Sequence, residues 1–179
     1  MRSEIAQSAP LLYDQTGPEV KITELNGGRS FNGFYYLSHL DNLHVSVESE
    51  DPHTGINGFE YALTETVDPT ASVWESVQWF ASLEELKHAV TPINGQVYYL
   101  AVRAYNGTGL STTVFSKPLI IDHSGPTLDI SCNATQNDQR LYLAHITVQD
   151  KETMVTSLEY AIGSAPGQTD LSKGLPGAN

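Results

Sequence analysis

Cysteine is almost absent from this sequence, and long apolar runs are missing. Cys132 is the only cysteine among 179 residues, which excludes a disulfide inside the chain and a metal site built from several thiolates. No stretch approaches 18 consecutive apolar residues, and the first residues lack the apolar core of a signal peptide. We therefore expect no part of this sequence to insert into a membrane.

Basic residues are also scarce. The sequence has 9 Lys and Arg against 21 Asp and Glu, a formal net charge of -12 at pH 7, and such a charge repels phosphate groups and anionic lipid headgroups. We therefore exclude nucleic acid as a partner. Hydrophobic residues make up 40% of the chain, with 14 glycines and 9 prolines, so the composition predicts a packed core and not a disordered chain.

Motifs for catalysis and metal binding are missing as well. None of the six histidines lies in a His-Glu-x-x-His pattern, and the sequence contains no Gly-x-Ser-x-Gly motif. The acids Glu48, Glu50, Asp51 and Glu60 fall on adjacent predicted strands, where two carboxylates can reach the spacing of a glycosidase, but scattered surface acids do the same. We predict that the chain is not an enzyme and has no catalytic residue, cofactor or metal ligand.

Two segments of the sequence recur in the same order. The pattern Ser-x-Pro-Leu-x-x-Asp-x-x-Gly-Pro occupies residues 8–18 and returns 108 residues later at 116–126. An aspartate followed by an apolar-Glu-Tyr-Ala-apolar run begins at Asp51 and again at Asp150, 99 residues later. Two ordered similarities with nearly equal offsets predict tandem repeats of about a hundred residues.

These recurrences divide the chain into three predicted parts. We expect residues 1–13 to be the final strand of a preceding repeat and residues 14–122 to form one complete β-sandwich. Residues 123–179 are then the N-terminal part of a following, truncated repeat. The segment 122–126 is the predicted joint, where Pro126 fixes one backbone angle and removes a hydrogen-bond donor.

The residue pattern within 14–122 predicts an all-β structure. Residues 43–47 and 59–63 alternate apolar and polar side chains, which is the period of a half-buried strand. Further strands are predicted at residues 20–22, 34–37, 73–80, 98–104 and 112–121, with turns at 51–55, 57–58 and 106–109. Residues 82–89 predict a short helix capped by Ser82. About seven strands indicate a two-sheet sandwich, and its predicted core is Leu43, Val45, Val47, Tyr61, Tyr98, Leu100 and Val102.

One long motif resembles a known family. The run Gly95-x-x-Tyr-Tyr-x-x-Val-x-Ala-x-Asn106-x-x-Gly-x-Ser111 resembles the penultimate strand and following turn of fibronectin type III and related immunoglobulin-like modules. The Asp-x-x-Gly-Pro junctions are similar to those of fibronectin-like repeats in microbial secreted and surface proteins. The resemblance covers residues 14–122 and continues in part to about residue 163. It implies tandem immunoglobulin-like β-sandwiches and an extracellular or cell-surface location, but no integrin binding, because Arg-Gly-Asp is lacking.

The leading functional hypothesis is a noncatalytic structural or interaction module of a multidomain extracellular or surface protein. Such a module acts as a spacer or as an adhesive or docking repeat, and its partners are neighbouring repeats of the same polypeptide, with a protein or carbohydrate ligand left open. The alternative is a carbohydrate-binding or substrate-docking accessory module of a secreted enzyme. For that alternative, Trp74, Trp79 and Phe80 are the candidate aromatic platform.

Two kinds of surface site stay open from the sequence. Asp14 and Asp122 lie at the predicted joints, where clustered oxygens can bind Ca²⁺, but the acids are too scattered for a tight site, so we predict that calcium is not integral to the fold. Asn106 and Asn133 each begin an Asn-x-Thr pattern, which accepts an N-linked glycan if a glycosylating host secretes the chain.

Overall fold

The structure is a computed structural model that describes residues 9, 13–68, 76–134 and 142–176. The chain divides into two compact units, residues 1–121 and residues 122–179. Strands predominate in both units, which confirms the all-β prediction. No helix in the described residues is long and apolar enough to span a membrane.

The described residues of the first unit form eight strands, a short 3-10 helix at Leu40–Asn42 and one α-helix, α1, at Leu83–Ala89. The strands are β1 (Glu19–Asn26), β2 (Arg29–Phe31), β3 (Phe34–Leu37), β4 (His44–Glu50), β5 (Ile56–Thr64), β6 (Val97–Asn106), β7 (Ser111–Phe115) and β8 (Leu119–Ile121). Strands β1 and β4 form an antiparallel two-stranded sheet. The other six form a second sheet in the order β2-β3-β8-β6-β5, with β7 paired to β6.

A hydrophobic core lies between the two sheets of the first unit. Alternate residues of β6 face it, and Leu100 and Val102 have no exposed surface. Ile22 of β1 and Val47 of β4 pack against the same cluster from the other sheet. The predicted core is confirmed: Leu43, Tyr98, Leu100 and Val102 are buried, while Val45, Val47 and Tyr61 are partly buried and pack against it.

Helix α1 begins where the sequence indicates. The Ser82 side chain accepts a hydrogen bond from the backbone N–H of Glu85 at 3.1 Å, which satisfies one of the free donors of the first turn. Glu84 and Glu85 lie in that turn, where their negative charges interact favourably with the positive end of the helix dipole. Leu86 is fully buried and attaches the helix to the core.

Three local predictions for the first unit are wrong. Asn57 and Gly58 form no turn; they lie inside β5, where the register shifts between Ile56 and Gly58 in a bulge opposite β6. The predicted strand 112–121 is two strands, because strand pairing is interrupted at residues 116–118; β8 then pairs in parallel with β3 and antiparallel with the start of β6. Of the predicted strand 73–80, only Phe80 forms a bridge, to Tyr61, and residues 73–75 lie outside the described residues.

The described part of the second unit forms two antiparallel hairpins. Strand β9 (Thr127–Ala134) pairs with β10 (Tyr142–Gln149), and β11 (Glu159–Ile162) pairs with β12 (Ser172–Pro176). Not one second-unit residue whose burial the structure describes is buried. The two units therefore share a strand-rich backbone, but among the residues whose burial is described only those of the first unit form a buried core.

Candidate functional site

Three turns meet at one end of the first unit and place two carboxylates beside one amide. Residues 14–16 lead into β1, residues 51–54 connect β4 to β5, and residues 106–110 connect β6 to β7. Their key side chains are Asp14, Asp51 and Asn106, which we call the aspartate clamp. The clamp joins segments that are 55 and 92 residues apart in sequence.

Asp51 folds its own turn. Its Oδ1 accepts hydrogen bonds from the backbone N–H groups of His53 at 3.0 Å and Thr54 at 2.8 Å, which is the side-chain-to-backbone pattern that favours aspartate in turns. Gly55 completes the turn with a φ of 69°, a left-handed conformation that costs glycine little. The sequence prediction of a turn at residues 51–55 is therefore confirmed.

Asp14 organises the segment that precedes β1. Its Oδ1 accepts hydrogen bonds from the backbone N–H of Thr16 at 3.1 Å and from the Thr16 hydroxyl at 2.9 Å. Its Oδ2 accepts a hydrogen bond from the Thr54 hydroxyl at 3.0 Å. One carboxylate thus attaches the leading segment to the turn between β4 and β5.

Asn106 closes the clamp, and its orientation is fixed by backbone donors. Its Oδ1 accepts hydrogen bonds from the backbone N–H groups of Thr108 at 3.1 Å and Leu110 at 2.9 Å. The amide nitrogen must therefore point the other way, and Nδ2 donates to Oδ2 of Asp14 at 2.9 Å and Oδ2 of Asp51 at 3.1 Å. Nδ2 also donates to the Thr16 carbonyl at 2.9 Å, so two hydrogens serve three acceptors.

Two glycines allow these turns to approach each other. A Cβ on Gly107 would lie 2.8 Å from the carbonyl oxygen of Thr54, and a Cβ on Gly17 would lie 2.8 Å from the Thr112 hydroxyl. Such separations are shorter than van der Waals contact. A side chain at Gly107 would push apart the turns at residues 51–54 and 106–110, and one at Gly17 would push the segment before β1 away from the start of β7.

The hydrogen bonds hold both clamp carboxylates in their charged form. The backbone N–H of Thr16 is the main cause that lowers the pKa of Asp14 below its usual range, against the opposing effect of burial. The backbone N–H of Thr54 is the main cause for Asp51, again against burial, with the Asn106 amide adding to the lowering of the pKa. Donors that stabilise a carboxylate anion lower its pKa, so both groups are ionised at neutral pH.

The two clamp carboxylates and a neighbouring histidine form a group of possible metal ligands. Asp14, Asp51 and His53 offer ligand atoms that all lie within 4.8 Å of one another, and His53 Nδ1 is 3.9 Å from Asp14 Oδ1. Calcium takes six to eight oxygen ligands, whereas this set offers two carboxylates and an imidazole. The Asn106 amide already donates hydrogen bonds to both carboxylates. These bonds stabilise the two negative charges, as a bound cation would.

Catalysis at this group faces a steric obstacle. The Asp14 side chain is only 2% exposed, and Asp51 is buried as well. A catalytic carboxylate must come within hydrogen-bond reach of its substrate. These two carboxylates instead contact the protein's own turns, which is the geometry of a structural support.

Part of the clamp recurs in the second unit at the offsets of the sequence repeat. Asp122 Oδ1 accepts hydrogen bonds from the Ser124 N–H at 2.9 Å and hydroxyl at 2.6 Å, and its Oδ2 accepts from the Thr153 hydroxyl at 2.7 Å. Asp150 Oδ1 accepts from the N–H groups of Glu152 at 3.1 Å and Thr153 at 2.8 Å. Burial would raise the pKa of Asp122, but the bonds from Ser124 and Thr153 outweigh it and lower that pKa.

The predicted glycan acceptors have different outcomes. Asn106 has no exposed surface, and its amide nitrogen is engaged by three acceptors. An enzyme that glycosylates the folded unit cannot reach this nitrogen, so acceptance of a glycan at Asn106 of the folded protein is excluded. The side chain of Asn133 lies outside the described residues.

The candidate aromatic platform is only partly described. The Arg103 guanidinium carbon lies 3.7 Å from the ring centroid of Trp79, a cation-π contact that covers one face of the indole. Phe80 is buried in the core, and Trp74 lies outside the described residues. The covered face of Trp79 is not open for stacking on a sugar.

The predicted acidic pairs and histidines do not converge on a second site in the described part of the chain. Glu48 and Glu50 lie on β4, whereas Glu60 lies on β5 of the other sheet, so the prediction that they share adjacent strands is wrong. Glu60 accepts a hydrogen bond from the Tyr105 hydroxyl at 2.6 Å and lies 3.6 Å from Arg103. Among the six histidines, His53 alone belongs to a described group of three possible metal ligands.

Sequence reasoning missed the role of Asn106. The sequence marked Asp14 and Asp51 through the repeat, but it presented Asn106 only as part of a turn and of an Asn-x-Thr pattern. The contact between these residues depends on how distant strands pair. The sequence nevertheless offered two signals. Both aspartates belong to segments that recur, and Asn106 lies in the turn after the strongest predicted strand.

Comparison with known proteins identifies no family for this chain. No protein-family model, curated protein or solved structure matches the chain. The resemblance to fibronectin type III modules therefore stays a prediction. The function has to be inferred from the clamp, the core and the recurrence of the turns.

Proposed function

We propose that this chain is a noncatalytic structural and interaction module that spaces or docks the neighbouring parts of a larger extracellular or surface protein. The observation that carries the proposal is the recurrence of the same aspartate hydrogen bonds before β1 and before β9. When the same hydrogen bonds recur at the start of two successive units, at matched sequence offsets, the chain has the organisation of a modular array. The immunoglobulin-like sandwich and the tandem repeat are part of this proposal.

The clamp gives the first unit a mechanical role. Asp14 is five residues before the start of β1, and its bonds reach the turns that end β4 and β6. A pull on the leading segment therefore acts on two turns of the folded unit as well as on β1. A spacer benefits from this arrangement, because the chain on the N-terminal side is held by several hydrogen bonds in parallel.

The extracellular location rests on the resemblance, and the acidic surface agrees with it. A net charge of -12 keeps copies of the chain apart and disfavours contact with phosphate-rich partners. Carbohydrate binding is the alternative function, and the contact of Arg103 with Trp79 counts against it on that face of the indole. The buried positions of Asp14 and Asp51 likewise favour a noncatalytic role.

Single-molecule stretching of the 179-residue chain from its two ends tests the proposal. Residues 14–121 number 108, so we expect one discrete unfolding event that lengthens the chain by about 350 Å, from ~3.3–3.6 Å per residue less the folded span. Asp14→Asn should lower the force of that event, because an amide cannot accept at the same strength from Thr16 and Thr54. Gradual extension without a discrete event would contradict a spacer role.

The matched control is Asp41→Asn, which makes the same chemical change at an exposed position of the first unit. We expect this variant to unfold at the force of the unchanged chain, because surface substitutions away from such contacts alter the stability by less than about 0.5 kcal/mol. Equal loss of force in both variants would show that net charge, and not the clamp, sets the mechanical resistance.

A further inference from the structure

Asparagine is followed directly by glycine at five places in the first unit, at residues 26–27, 32–33, 57–58, 94–95 and 106–107. In such a pair the backbone nitrogen of the glycine can attack the side-chain carbonyl of the asparagine, because glycine has no side chain to hinder the approach and has a freely rotating backbone. Asparagine is one of the thermolabile residues for this reason. The five pairs are therefore candidate sites of a covalent change, deamidation, that needs no enzyme.

Deamidation has two steps, and its atoms balance with water as the one co-reactant. In the first step a bond forms between the glycine nitrogen and Cγ of the asparagine, and the bond from Cγ to Nδ2 breaks. Ammonia leaves with the proton that the glycine nitrogen loses, and the product is a cyclic succinimide. In the second step water opens the ring at either carbonyl to give aspartate or isoaspartate, so a neutral amide becomes a carboxylate.

In the folded first unit the pair Asn106-Gly107 is closed to this reaction. The attacking group is engaged, because the Gly107 N–H donates to the carbonyl oxygen of Gly55 at 3.2 Å. The leaving group is engaged as well, because Nδ2 of Asn106 donates to both clamp aspartates and to one backbone carbonyl. Asn106 also has no exposed surface. The reaction therefore cannot start until several buried hydrogen bonds have broken.

The charges around Asn106 oppose the reaction too. Attack on Cγ creates a negative charge on Oδ1, and the ionised carboxylates of Asp14 and Asp51 lie beside the same amide, so repulsion disfavours the intermediate. The N–H groups of Thr108 and Leu110 would stabilise a charge on Oδ1. They do not promote the reaction, because the same hydrogen bonds fix the amide in place while the glycine N–H keeps its own acceptor.

Asn32 and Gly33 present the opposite case within the same unit. They form the two-residue turn between β2 and β3, where Phe31 pairs with Phe34, and both are exposed. No described hydrogen bond holds the Asn32 side chain, and a Cβ on Gly33 would meet nothing within 4 Å. The same dipeptide is therefore open to deamidation in one turn of the unit and closed in another.

We propose that Asn106-Gly107 is a modification site that opens only when the first unit unfolds, and that deamidation there makes the loss of the aspartate clamp irreversible. The product places a third carboxylate against Asp14 and Asp51 and removes both donated hydrogens, so the clamp does not form again. The clamp thus protects the amide on which it depends. An unfolding event that lasts long enough for the reaction weakens the unit permanently.

The test compares the two asparagines in one sample of the whole chain. The chain is kept in warm, mildly alkaline buffer with or without guanidinium chloride, and peptide mass spectrometry follows deamidation at each asparagine. Without denaturant we expect Asn106 to deamidate at least about a hundredfold more slowly than with it, because only the small unfolded fraction reacts. The rate at Asn32 should change by less than about tenfold, because its turn is open in the folded unit.

Two variants repeat the comparison without denaturant. Val102→Asp places a charge where the side chain has no exposed surface and should unfold the first unit. Asn106 should then deamidate within about threefold of its rate in the denatured parent chain. Leu128→Asp makes the same kind of change at a second-unit side chain that is 56% exposed, and it should leave the slow rate at Asn106 unchanged. Asn32 is the internal reference in both variants.

Refolding tests the consequence of the modification. After incubation in denaturant the chain is returned to buffer, and ion exchange separates the molecules that have gained a carboxylate. At the denaturant concentration that unfolds half of the parent molecules, those deamidated at Asn106 should have at least about tenfold less folded protein by tryptophan fluorescence. Molecules deamidated only at Asn32 should unfold at the midpoint of the parent chain, because this exposed turn lies away from the clamp.

Three results would overturn the inference. The first is deamidation at Asn106 of the folded chain within about tenfold of the denatured rate, which would mean that the clamp does not protect its amide. The second is equally slow deamidation of Asn32 and Asn106 in the folded chain, which would mean that the contacts of Asn106 do not set its rate. The third is an unchanged midpoint of unfolding for molecules deamidated at Asn106, which would mean that the clamp forms without the amide.

Discussion

In the first unit Ile22 of β1 lies opposite Val47 of β4, and both pack onto a buried core. In the second unit Ile130 lies opposite Ile146 at the equivalent positions, and Ile130 is 55% exposed. The hydrogen bonds of the leading aspartates agree in both units. Turns thus form from local chemistry, while burial depends on strands that arrive from far along the chain.

The energetic consequence of this difference is large. Burying one Leu or Val side chain contributes about 1.5–3 kcal/mol, and Leu43, Leu100, Val102 and Leu119 are among the fully buried residues of the first unit. Whole domains are stable by only about 5–15 kcal/mol. We therefore expect the first unit to be much more stable than the described part of the second, in which no residue is buried.

The largest effect should come from a charge in the core of β6. Val102→Asp places a carboxylate where the side chain has no exposed surface, and an unpaired buried charge costs about 3–5 kcal/mol or more. We expect the first unit to unfold, as measured by tryptophan fluorescence and circular dichroism. The control is Leu128→Asp, at a side chain that is 56% exposed, which should leave the first unit intact. A Val102→Asp melt within a few degrees of the parent would show that the core face is assigned wrongly.

The next largest effect should come from the clamp amide. Asn106→Asp brings a third carboxylate against Asp14 and Asp51 and removes both donated hydrogens, which should cost at least about 3 kcal/mol and lower the melting midpoint by roughly 12 °C or more. Asn57→Asp makes the same change at an exposed position of β5 and should shift the midpoint by no more than about 3 °C. Similar melting midpoints for the two variants would show that the Asn106 side chain does not stabilise the first unit.

These residues show which features sequence can predict. Ser82 caps α1 and Asp51 folds its turn through neighbours within four residues, so both features were predictable. Asn57 and Gly58 have turn propensity, but pairing of β5 with β6 outweighs it. The clamp was not predictable because Asn106 meets Asp14 and Asp51 only after β6 is placed, across 92 and 55 residues. The break at Ser116 likewise depends on the parallel pairing of β8 with β3.

A smaller effect should appear in acid. The folded pKa values of Asp14 and Asp51 lie below the ordinary value of 3.8, so the unfolded chain binds more protons as the pH falls through this range. The contribution of the clamp is therefore complete above about pH 5 and is lost as the pH falls through the folded pKa values. Urea unfolding between pH 7 and pH 2.5 should show this loss as a fall in the free energy of unfolding. In Asp14→Asn the free energy of unfolding should depend less steeply on pH. Parallel curves for the two proteins would contradict the lowered pKa.

The smallest expected effect is that of calcium. A site with a dissociation constant of ~10 μM would add about 2.7 kcal/mol in ~1 mM Ca²⁺ and raise the melting midpoint by roughly 10 °C or more. Since the amide of Asn106 already joins Asp14 and Asp51, melts in ~1 mM CaCl₂ and in EDTA should agree within about 2 °C at matched ionic strength. A shift above ~5 °C that Asp51→Asn abolishes would make the clamp a calcium site.

Hydrogen exchange of the unmodified chain tests the comparison of the two units most directly. Amides of β6 should exchange only through global unfolding of the first unit, because β6 lies inside its larger sheet and pairs with β5, β7 and β8. Amides of β9 and β10 should exchange at least about a thousandfold faster. None of the residues of this hairpin whose burial is described is buried, so local opening of the hairpin should cost little free energy. Equal protection in the two units would contradict the account, because it would mean that the second unit is stabilised without the strand that stabilises the first.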